Sequence, residues 1–491
     1  MSPPLLRCAA VVACRNEADL LGQHLPIWIS EGLEIVVIDH SSTDTTHAVA
    51  EAHLGAGVLS VETMPWLGHF SLDQQLAAKA AVIEQLDHDW VIHIDADEWL
   101  HSSRNDETLQ GALSRLAAAG ANAVNFEEFV FLPIGPNRSA EHYYFFEPAS
   151  QRLIRAWDRR CGFSNQGQGG HRLSSSNNTP LHVAEESLVL RHQIVHNQRQ
   201  ARQKYLQRQF NPQELQKGWH RNRLRLSARQ LTFPDAAELE QLTSPAQRQL
   251  QHNSPHTTHY WHWHDATKTL PCRSVVCLYG CNTDADLLDT FYGSVLWNMI
   301  RQRTDTLLLE VWAGGDAADH FDGRRLTLAT PEAYDQLSQK TYRMLRWCSR
   351  ELRTRQLIKL DLTCLRYRGN QRIDPTAVAT WLTGRLEEPL MNNNHYDGFL
   401  HHSMPVQENI HQWGRNKGVA VDPAQVFGVD GTVPSFYSGK AYALSRSLMR
   451  YIAGYGAPMA EEHTRLLHGA EDLMVGRLAE RFQATQSARK S

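Results

Sequence analysis

The sequence predicts an α/β protein with two domains in tandem, each built on a Rossmann-like, mixed but mostly parallel sheet. Three observations support this fold class. The chain has 491 residues, 42% of them hydrophobic and 21% charged, which exceeds the usual size of one globular domain. Hydrophobic strand patterns alternate with helical patterns near the N-terminus. The same alternation returns after about residue 270.

The N-terminal part contains four strand patterns separated by three helical patterns. The strands are predicted in LRCAAVVACRN, LEIVVIDHSSTD, GVLSVETM and DWVIHIDADEW. The helices are predicted in EADLLGQHLPIWISEG, TDTTHAVAEAH and SLDQQLAAKAAVIEQL, the last with Leu72, Leu76, Ala80 and Ile83 on one side. Strands that are joined by helices in this way run parallel and are covered on both faces.

The C-terminal part repeats this rhythm. The order strand, helix, strand, strand, helix, strand is predicted from RSVVCLYG, LLDTFYGSVLWNMIRQR, DTLLLEVWAGG, RRLTLAT, PEAYDQLSQKTYRMLRWCSREL and RQLIKLDLTCL. Val11 and Asp95 are 84 positions apart, and Val275 and Asp361 are 86 apart. We interpret the two parts as a duplication of one fold without obvious sequence identity.

The segment QHNSPHTTHYWHWHDATKTLP is the predicted linker, which places the domains at residues 1–265 and 270–491. It contains His256, His259, His262 and His264, which could form a metal site. Their spacing fits no ligand face of a helix, however, and no Cys or Asp ligand flanks them. A surface or interdomain segment is therefore the favoured interpretation.

Composition excludes several classes of protein. A net charge of −4, from 49 basic and 53 acidic residues, gives no general attraction to nucleic acid. The N-terminal residues lack the pattern of a signal peptide and no run of about 18 apolar residues occurs, so we expect a cytoplasmic protein without a transmembrane segment. The cysteines are scattered, and the closest three, Cys272, Cys277 and Cys281, lack the spacing of a zinc site. Free thiols are expected.

In the stretch WVIHIDADEWL, a hydrophobic strand pattern is followed directly by Asp95, Asp97 and Glu98. Ligands of parallel sheets bind at the carboxyl ends of the strands, so these acids lie at the expected ligand edge. Alternation along a strand would point Asp95 and Asp97 the same way. A divalent cation, Mn²⁺ or Mg²⁺, could then bridge them and neutralise a diphosphate. The alternative is a solvated acidic turn.

Together, VVACRNEADLLGQHLPIWISEGLEIVVIDHSSTDTT and WVIHIDADEW resemble the family 2 glycosyltransferases with the GT-A fold. The resemblance covers roughly residues 8–230. It implies that Arg15, Asn16 and Glu17 border the nucleotide of a nucleotide-diphosphate sugar. It also implies that Asp39, at the end of the second strand, accepts a hydrogen bond from the base.

The same resemblance implies a metal site. Asp95 would face the ribose or the metal, and Asp97 would be the principal metal ligand. The late stretch LVLRHQIVHNQRQARQKYLQ offers His192 as a further ligand, or else as a histidine bonded in the core. Residues 191–229 contain ten Lys or Arg and one acid, Glu214, so this basic stretch either binds phosphates or an anionic acceptor or is a solvated helix.

An inverting transferase needs a general base that takes the proton of the acceptor hydroxyl. Glu185 and Glu186 in HVAEESLVLRH lie beyond the donor-binding half and are the first candidates. Glu127 and Glu128 are rivals, and each of the four could be an ordinary surface acid.

The C-terminal part carries a different resemblance. EAYDQLSQKTYRMLRWC, IKLDLTCL, VPSFYSGKAYALSRSLMRYI and HGAEDLMVGRLAE resemble glycosyltransferase family 31, the β-1,3-galactosyl- and N-acetylglucosaminyltransferase type. Lys359 and Asp361 match the metal strand of that family, and Asp361 is the implied metal ligand. Leu362 and Thr363 stand where the family has acids. This site could bind metal weakly, work without it, or be inactive.

Further residues of this part are assigned by the same resemblance. Gly439 would shape the substrate pocket, and the pair Glu471 and Asp472 would hold the catalytic carboxylate, with Asp472 as the candidate base. Asp472 could also be a helix N-terminal acid that the helix dipole favours. Lys340 would approach the donor's phosphates or be an exposed helical lysine.

Together these patterns predict a bifunctional inverting glycosyltransferase that uses nucleotide-diphosphate sugars, UDP-linked ones above all, and a glycan or glycolipid acceptor. In the alternative, the C-terminal domain only binds sugar or acts as a scaffold. A nucleotidyltransferase is disfavoured because no Gly-rich phosphate loop follows the first strand. A nucleic-acid binder is disfavoured by the charge, whereas peripheral membrane contact through the basic stretch stays open.

Overall fold

The structure, a computed structural model, describes residues 5–134, 141–263, 272–314, 318–365, 375–390, 394–402, 435–454 and 471–488. The chain divides into two units. The N-terminal unit comprises Met1–Arg223 and Leu231–His264, and the C-terminal unit comprises Leu224–Gln230 and Asp265–Ser491.

The N-terminal unit is an α/β unit. Its strands are β1 (Cys8–Cys14), β2 (Leu33–Asp39), β3 (Val58–Thr63), β4 (Trp90–Ile94), β5 (Glu98–His101), β6 (Ala123–Leu132), β7 (His142–Phe146), β8 (Ile154–Asp158), β9 (Phe163–Ser164), β10 (Ser174–Ser175), β11 (Leu188–Gln193) and β12 (Glu240–Gln241). Its helices are α1 (Ala18–Ser30), α2 (Thr46–Glu51), α3 (Leu72–Gln85), α4 (Leu109–Ala118), α5 (Gln198–Arg202), α6 (Pro212–Gln216), α7 (Arg221–Leu224) and α8 (Tyr260–Trp263).

The sheet of this unit is parallel where the sequence predicts it. The order β3-β2-β1-β4 is parallel throughout, with Val11 of β1 opposite Val36 and His93. All seven residues of β1 are buried, because helices cover both faces of a parallel sheet. Beyond β4 the sheet becomes mixed through the antiparallel strands β8 and β6. Strand β11 then pairs parallel to β6 and antiparallel to β5.

The C-terminal unit is also α/β. Its strands are β13 (Ser274–Tyr279), β14 (Thr306–Ala313), β15 (His320–Phe321), β16 (Arg325–Leu328), β17 (Gln356–Asp361), β18 (Tyr396–Gly398), β19 (His401–His402), β20 (Phe436–Tyr437) and β21 (Ala441–Ser445). Its helices are α9 (Ala285–Tyr292), α10 (Val295–Arg301), α11 (Leu337–Glu351), α12 (Pro375–Glu387), α13 (Arg446–Gly454) and α14 (Glu471–Ala488).

The two units share one strand arrangement, as the duplication hypothesis predicts. In the C-terminal unit the order β16-β14-β13-β17 is parallel, and the antiparallel β21 follows β17 as β8 follows β4. The helix predicted over residues 287–303 is instead two helices, α9 and α10. Its break follows from Gly293 and from Ser294, whose Oγ accepts a hydrogen bond from the Trp297 amide and caps α10.

One local prediction is wrong, and a second holds only in part. Asp95, Ala96 and Asp97 form a turn between β4 and β5, so a turn rather than strand alternation sets the directions of the two aspartates. The predicted linker is in part a packed element of the N-terminal unit, since Tyr260 and Trp261 of α8 are almost fully buried. His264 lies outside the described residues.

The cysteine prediction is confirmed, because all eight cysteines are free thiols. In the described part of the chain, no helix combines the length and the apolar character needed to cross a membrane.

Candidate functional site

A cavity of about 570 Å³ lies at the carboxyl ends of β1 and β4 in the N-terminal unit. Its lining includes Arg15 after β1 and both aspartates of the turn after β4, Asp95 and Asp97. Glu128 of β6 and His192 of β11 line it as well. The structure therefore brings the predicted acidic cluster and the predicted late histidine to one cavity.

Asp95 is held by two buried cations. Lys79 Nζ lies 3.0 Å from Asp95 Oδ1, and Arg155 Nη2 lies 3.4 Å from Asp95 Oδ2. Burial alone would raise the pKa of Asp95, but Lys79, His93 and Arg155 hold it well below its usual value. The carboxylate is ionised, and both of its oxygens are engaged by the protein itself.

Lys79 itself departs from the helical pattern predicted for α3. Leu76 and Lys79 are its fully buried residues, whereas Leu72, Ala80 and Ile83 are half-buried. The ammonium group is satisfied by Asp95 and by the carbonyl of Ile94, to which it donates at 2.8 Å. A buried lysine with these partners stabilises the turn between β4 and β5.

Glu98, the third acid, is part of the interior. It is 2% exposed, and its Oε1 lies 2.5 Å from Nη2 of Arg155, which is 4% exposed. Its other oxygen accepts a hydrogen bond from the Asp95 amide at 3.0 Å. Burial raises the pKa of Glu98 to about 7, although Arg155 opposes the rise. Glu98 thus closes the turn between β4 and β5.

Asp97, His192 and Glu128 form a chain of polar contacts across the cavity. Asp97 Oδ2 lies 3.4 Å from His192 Nε2, and His192 Nδ1 lies 2.6 Å from Glu128 Oε1. Burial would lower the pKa of His192, but the two carboxylates raise it to about 10. Lys204 forms an ion pair with Asp97, and Arg152 forms one with Glu128.

Asp97 and His192 could hold a divalent cation once the imidazole has lost the proton that the two carboxylates favour. Two neighbouring ligands of an octahedral Mg²⁺ lie about 3 Å apart, close to the observed Asp97–His192 separation. Glu128 orients the imidazole through its other nitrogen, as carboxylates do behind metal-bound histidines. Among the described residues no cluster of three or more His, Cys, Asp or Glu could hold an ion, so the remaining ligands would be water and phosphate. Lys204 occupies the same oxygen of Asp97 and would have to move.

Arg15, Asn16 and Glu17 tie the loop after β1 to the loop after β2. Arg15 donates to the carbonyl of His40 at 2.8 Å, and its guanidinium lies 4.2 Å from the ring centroid of Trp66. Asn16 has a φ of 55° and accepts a hydrogen bond from the Thr43 amide. Arg15 and Glu17 line the cavity, and burial raises the pKa of Glu17 to about 7.

Asp39 ends β2 and is 4% exposed. Its Oδ1 accepts a hydrogen bond from the Ser42 amide at 3.0 Å, and its Oδ2 lies 3.3 Å from His47 Nδ1. It does not line the cavity. Its carboxylate stabilises the loop that Arg15 also contacts.

The glutamates predicted as general base are not brought together. Glu185 is exposed, and Glu186 accepts from Arg115 at 2.7 Å and from Ser103 at 2.8 Å. The hydrogen bond from Arg115 lowers the pKa of Glu186. Neither residue lines the cavity, whereas Glu128 does.

Sequence reasoning did not place the predicted linker at the cavity. Thr257, His259 and Trp261, from the predicted linker, line it, and the ring of His259 stacks on Phe146 with centroids 4.2 Å apart. The cationic residues Lys79 and Arg155 were also missed. The density of His and Trp in the linker was the available signal, because linkers rarely carry so many large rings.

In the C-terminal unit the predicted residues gather at the end of β17. Lys359 Nζ lies 2.5 Å from Glu471 Oε1 and donates to the carbonyl of Gly439 at 2.5 Å. Tyr442 donates its hydroxyl to Glu471 at 3.0 Å. Asp472 accepts a hydrogen bond from the Gly439 amide at 3.3 Å. Burial raises the pKa of Glu471 and that of Asp472.

Asp361 is engaged by its own loop. Its Oδ1 accepts hydrogen bonds from the amide of Thr363 at 2.8 Å and from the hydroxyl of Thr363 at 2.5 Å. Lys359 lies 3.6 Å from its Oδ2, and Lys440 donates to the Thr363 hydroxyl. The Lys440 ammonium therefore already lies beside Thr363, the position where family 31 has a carboxylate. Lys340 is buried rather than exposed, 3.1 Å from Glu332.

No model of a known protein family matches the chain. Among curated proteins it is 32% identical over 124 residues to the lipopolysaccharide core biosynthesis glycosyltransferase LpsC of Rhizobium meliloti, which is 25% of this chain and 42% of that protein. It is 34% identical over 101 residues to an uncharacterized glycosyltransferase of Rickettsia felis, covering 21% of this chain and 32% of that protein. The chain thus spans less than half the length of these relatives.

Solved structures give weaker matches. TarS of S. aureus matches with a TM-score of 0.26 and 12% identity over 38% of this chain and 37% of TarS. Mannosyl-3-phosphoglycerate synthase of Rubrobacter xylanophilus matches with a TM-score of 0.23 and 19% identity over 41% of this chain and 71% of that enzyme. A likeness of this extent does not bear on function.

Proposed function

We propose that the N-terminal unit is an inverting glycosyltransferase that takes a sugar from a nucleotide-diphosphate donor, UDP-linked, and passes it to a glycan or glycolipid hydroxyl. One observation carries the proposal: Asp97 and His192, backed by Glu128, converge on a large cavity at the carboxyl ends of parallel strands. The names of the curated relatives, all glycosyltransferases, agree with it.

The cavity supplies the charges that such a donor needs. Lys204 lines it, and its positive charge suits a diphosphate. Asp97 and His192 would hold Mn²⁺ or Mg²⁺, which when bound neutralises the charge that develops on the leaving diphosphate. Arg15, stacked on Trp66, would border the nucleotide.

The chemistry is an in-line displacement. The acceptor oxygen forms a bond to the anomeric carbon while the bond to the diphosphate breaks, and the hydroxyl proton passes to a general base. Glu128 is bound by Arg152 and His192, and its pKa is lowered to about 2, so it orients His192 rather than taking this proton. Glu185 and Glu186 would reach an acceptor only if that acceptor extends beyond the cavity.

For the C-terminal unit we propose a second transferase site, with Asp472 as its base. A specific observation favours the alternative of a non-catalytic sugar-binding or scaffolding unit: Thr363 donates two hydrogen bonds to one oxygen of Asp361, Lys359 lies 3.6 Å from the other, and Lys440 donates to the Thr363 hydroxyl. Asp472→Asn and Thr363→Asp, tested separately for sugar transfer, distinguish the two. If Asp472→Asn abolishes one of two sugar transfers, that result supports a second transferase site in the C-terminal unit.

The primary test is ligand binding by the full chain. Thermal unfolding is followed with a panel of nucleotide sugars and UDP, with Mn²⁺ or with EDTA, because a bound ligand raises the midpoint by mass action. We expect a shift with UDP and Mn²⁺ that is lost in Asp97→Asn. Asp106→Asn, at an exposed aspartate, is the matched control. If Asp97→Asn behaves as the control does, the proposed site is wrong.

A further inference from the structure

Arg208 is a cavity cation whose charge the protein does not neutralise. It follows the single-turn π-helix Gln203–Gln207 and is half-buried. Its guanidinium lies 4.9 Å from the ring centroid of Phe70. Within the described part of the chain, no carboxylate forms an ion pair with it and no acceptor takes a hydrogen bond from it. Two other cations of the cavity are paired with carboxylates, Lys204 with Asp97 and Arg152 with Glu128.

The electrostatic surroundings of Arg208 favour an anion beside it. Burial lowers the pKa of its guanidinium, and the neighbouring charge of Arg223 lowers it further. Glu17 and Asp97 act on it only at a distance, and Asp97 already belongs to Lys204. An unpaired cation that has lost part of its water is costly unless a ligand supplies the opposite charge.

Aromatic rings flank Arg208 on the same wall of the cavity. Phe70 and His220 line the cavity, and their ring centroids lie 5.6 Å apart. His220 is stacked on Phe210, with centroids 4.7 Å apart and planes 18° apart. Aromatic faces pack well on the apolar faces of sugar rings. The wall thus combines a surface for a sugar ring with one unneutralised guanidinium.

We propose that Arg208 binds an anionic group of the sugar acceptor, a phosphate or a carboxylate, while the acceptor ring packs on Phe70 and His220. This inference rests on the proposed function. An ion on Asp97 and His192 would displace Lys204 from Asp97, and the ion and Lys204 would then match the donor's diphosphate. That leaves the charge of Arg208 for a second anion. The substrate class is therefore an acidic glycan rather than a neutral one.

The test is calorimetric binding to the full chain with UDP, glucose 6-phosphate and glucose as probes. We expect glucose 6-phosphate to bind the UDP-loaded protein and glucose to bind far more weakly. Arg208→Gln should weaken glucose 6-phosphate about tenfold, and Arg208→Lys, which keeps the charge, should weaken it less. Arg199→Gln, at an exposed arginine of α5, should change nothing. UDP affinity should be the same in all four proteins.

Two results would overturn the inference. If Arg208→Gln weakens UDP as much as glucose 6-phosphate, the anion is the donor's diphosphate. If glucose 6-phosphate binds the wild-type protein no better than glucose, the wall does not select an anionic acceptor. Absence of UDP binding in the wild-type protein would instead refute the proposed function, and the glucose 6-phosphate titration without UDP still reports on Arg208. Unchanged thermal midpoints of the unliganded variants establish that they fold.

Discussion

The buried ion pair between Arg155 and Glu98 allows a sharp test of how the acidic turn is held. Arg155→Met removes a guanidinium that is 4% exposed and leaves Glu98, which is 2% exposed, without its partner at 2.5 Å. Removing one member of a buried pair costs about 3–5 kcal/mol. Glu98 keeps one hydrogen bond, from the Asp95 amide, and without Arg155 its carboxyl can take up a proton, so we expect the lower end, about 3 kcal/mol.

The matched control is the double variant Arg155→Met with Glu98→Gln. It leaves no unpaired charge, and the glutamine can still accept the hydrogen bond from the Asp95 amide. We therefore expect it to recover about 1–2 kcal/mol relative to the single variant. The measurement is urea unfolding followed by tryptophan fluorescence, because Trp90 and Trp157 are buried in this unit and report its transition.

Two outcomes would refute the reasoning. A single variant within about 0.5 kcal/mol of the wild-type protein would mean that the pair is not buried as described. A double variant no more stable than the single one would mean that the loss comes from packing of the arginine side chain rather than from an unpaired carboxylate.

Further predictions concern pH, helix packing and the orientation of His192. Burial raises the pKa of Glu17 to about 7. Between about pH 5 and pH 7 the folded protein therefore keeps a proton on Glu17 that the unfolded chain has lost. The free energy of unfolding should fall by about 2 kcal/mol as pH rises from about 5 to about 7.5. Glu17→Gln should flatten that slope in urea unfolding at several pH values; an unchanged slope would contradict the assignment. Gly476→Ala in α14 should destabilise the C-terminal unit by about 2 kcal/mol, because the added Cβ would lie 2.6 Å from the carbonyl oxygen of Ser435. Gly384→Ala in α12, where the added atom meets nothing within 4 Å, should be neutral or stabilising in the same assay; equal losses would show that crowding is not the cause. Glu128→Gln should weaken Mn²⁺ binding to the full chain about tenfold in a calorimetric titration, since the histidine loses its charged partner; unchanged affinity would place the ion elsewhere.

The sheets could be predicted from the sequence because their signal is local. Strands β1, β2 and β4 are continuous hydrophobic runs, and a parallel sheet covered on both faces requires such runs. Strands β1, β2 and β3 pair in chain order, whereas β4 pairs with β1, which short connections do not predict. Residues at strand ends, such as Asp95 and Asp97, are therefore placed at one edge by topology alone.

The contacts around these acids could not be predicted, because they depend on residues distant in sequence. In the sequence, Lys79 looks like a polar residue on the solvent side of a helix. Its burial is explained by its ion pair with Asp95. Arg155 lies on β8, an antiparallel strand that the alternation of strands and helices does not predict. Glu98 resembles a third ligand in the sequence, yet its pairing with Arg155 makes it part of the core.

The segment that ends in helix α8 has a consequence for how the protein is made. Thr257, His259 and Trp261 close one side of the cavity, although they come long after the last strand that carries an acid or histidine of the site. A nascent chain that has reached Leu250 already carries the whole acidic turn, His192 and Lys204 but lacks this wall. A chain that ends before Thr257 would therefore lack these three contributions to the cavity lining.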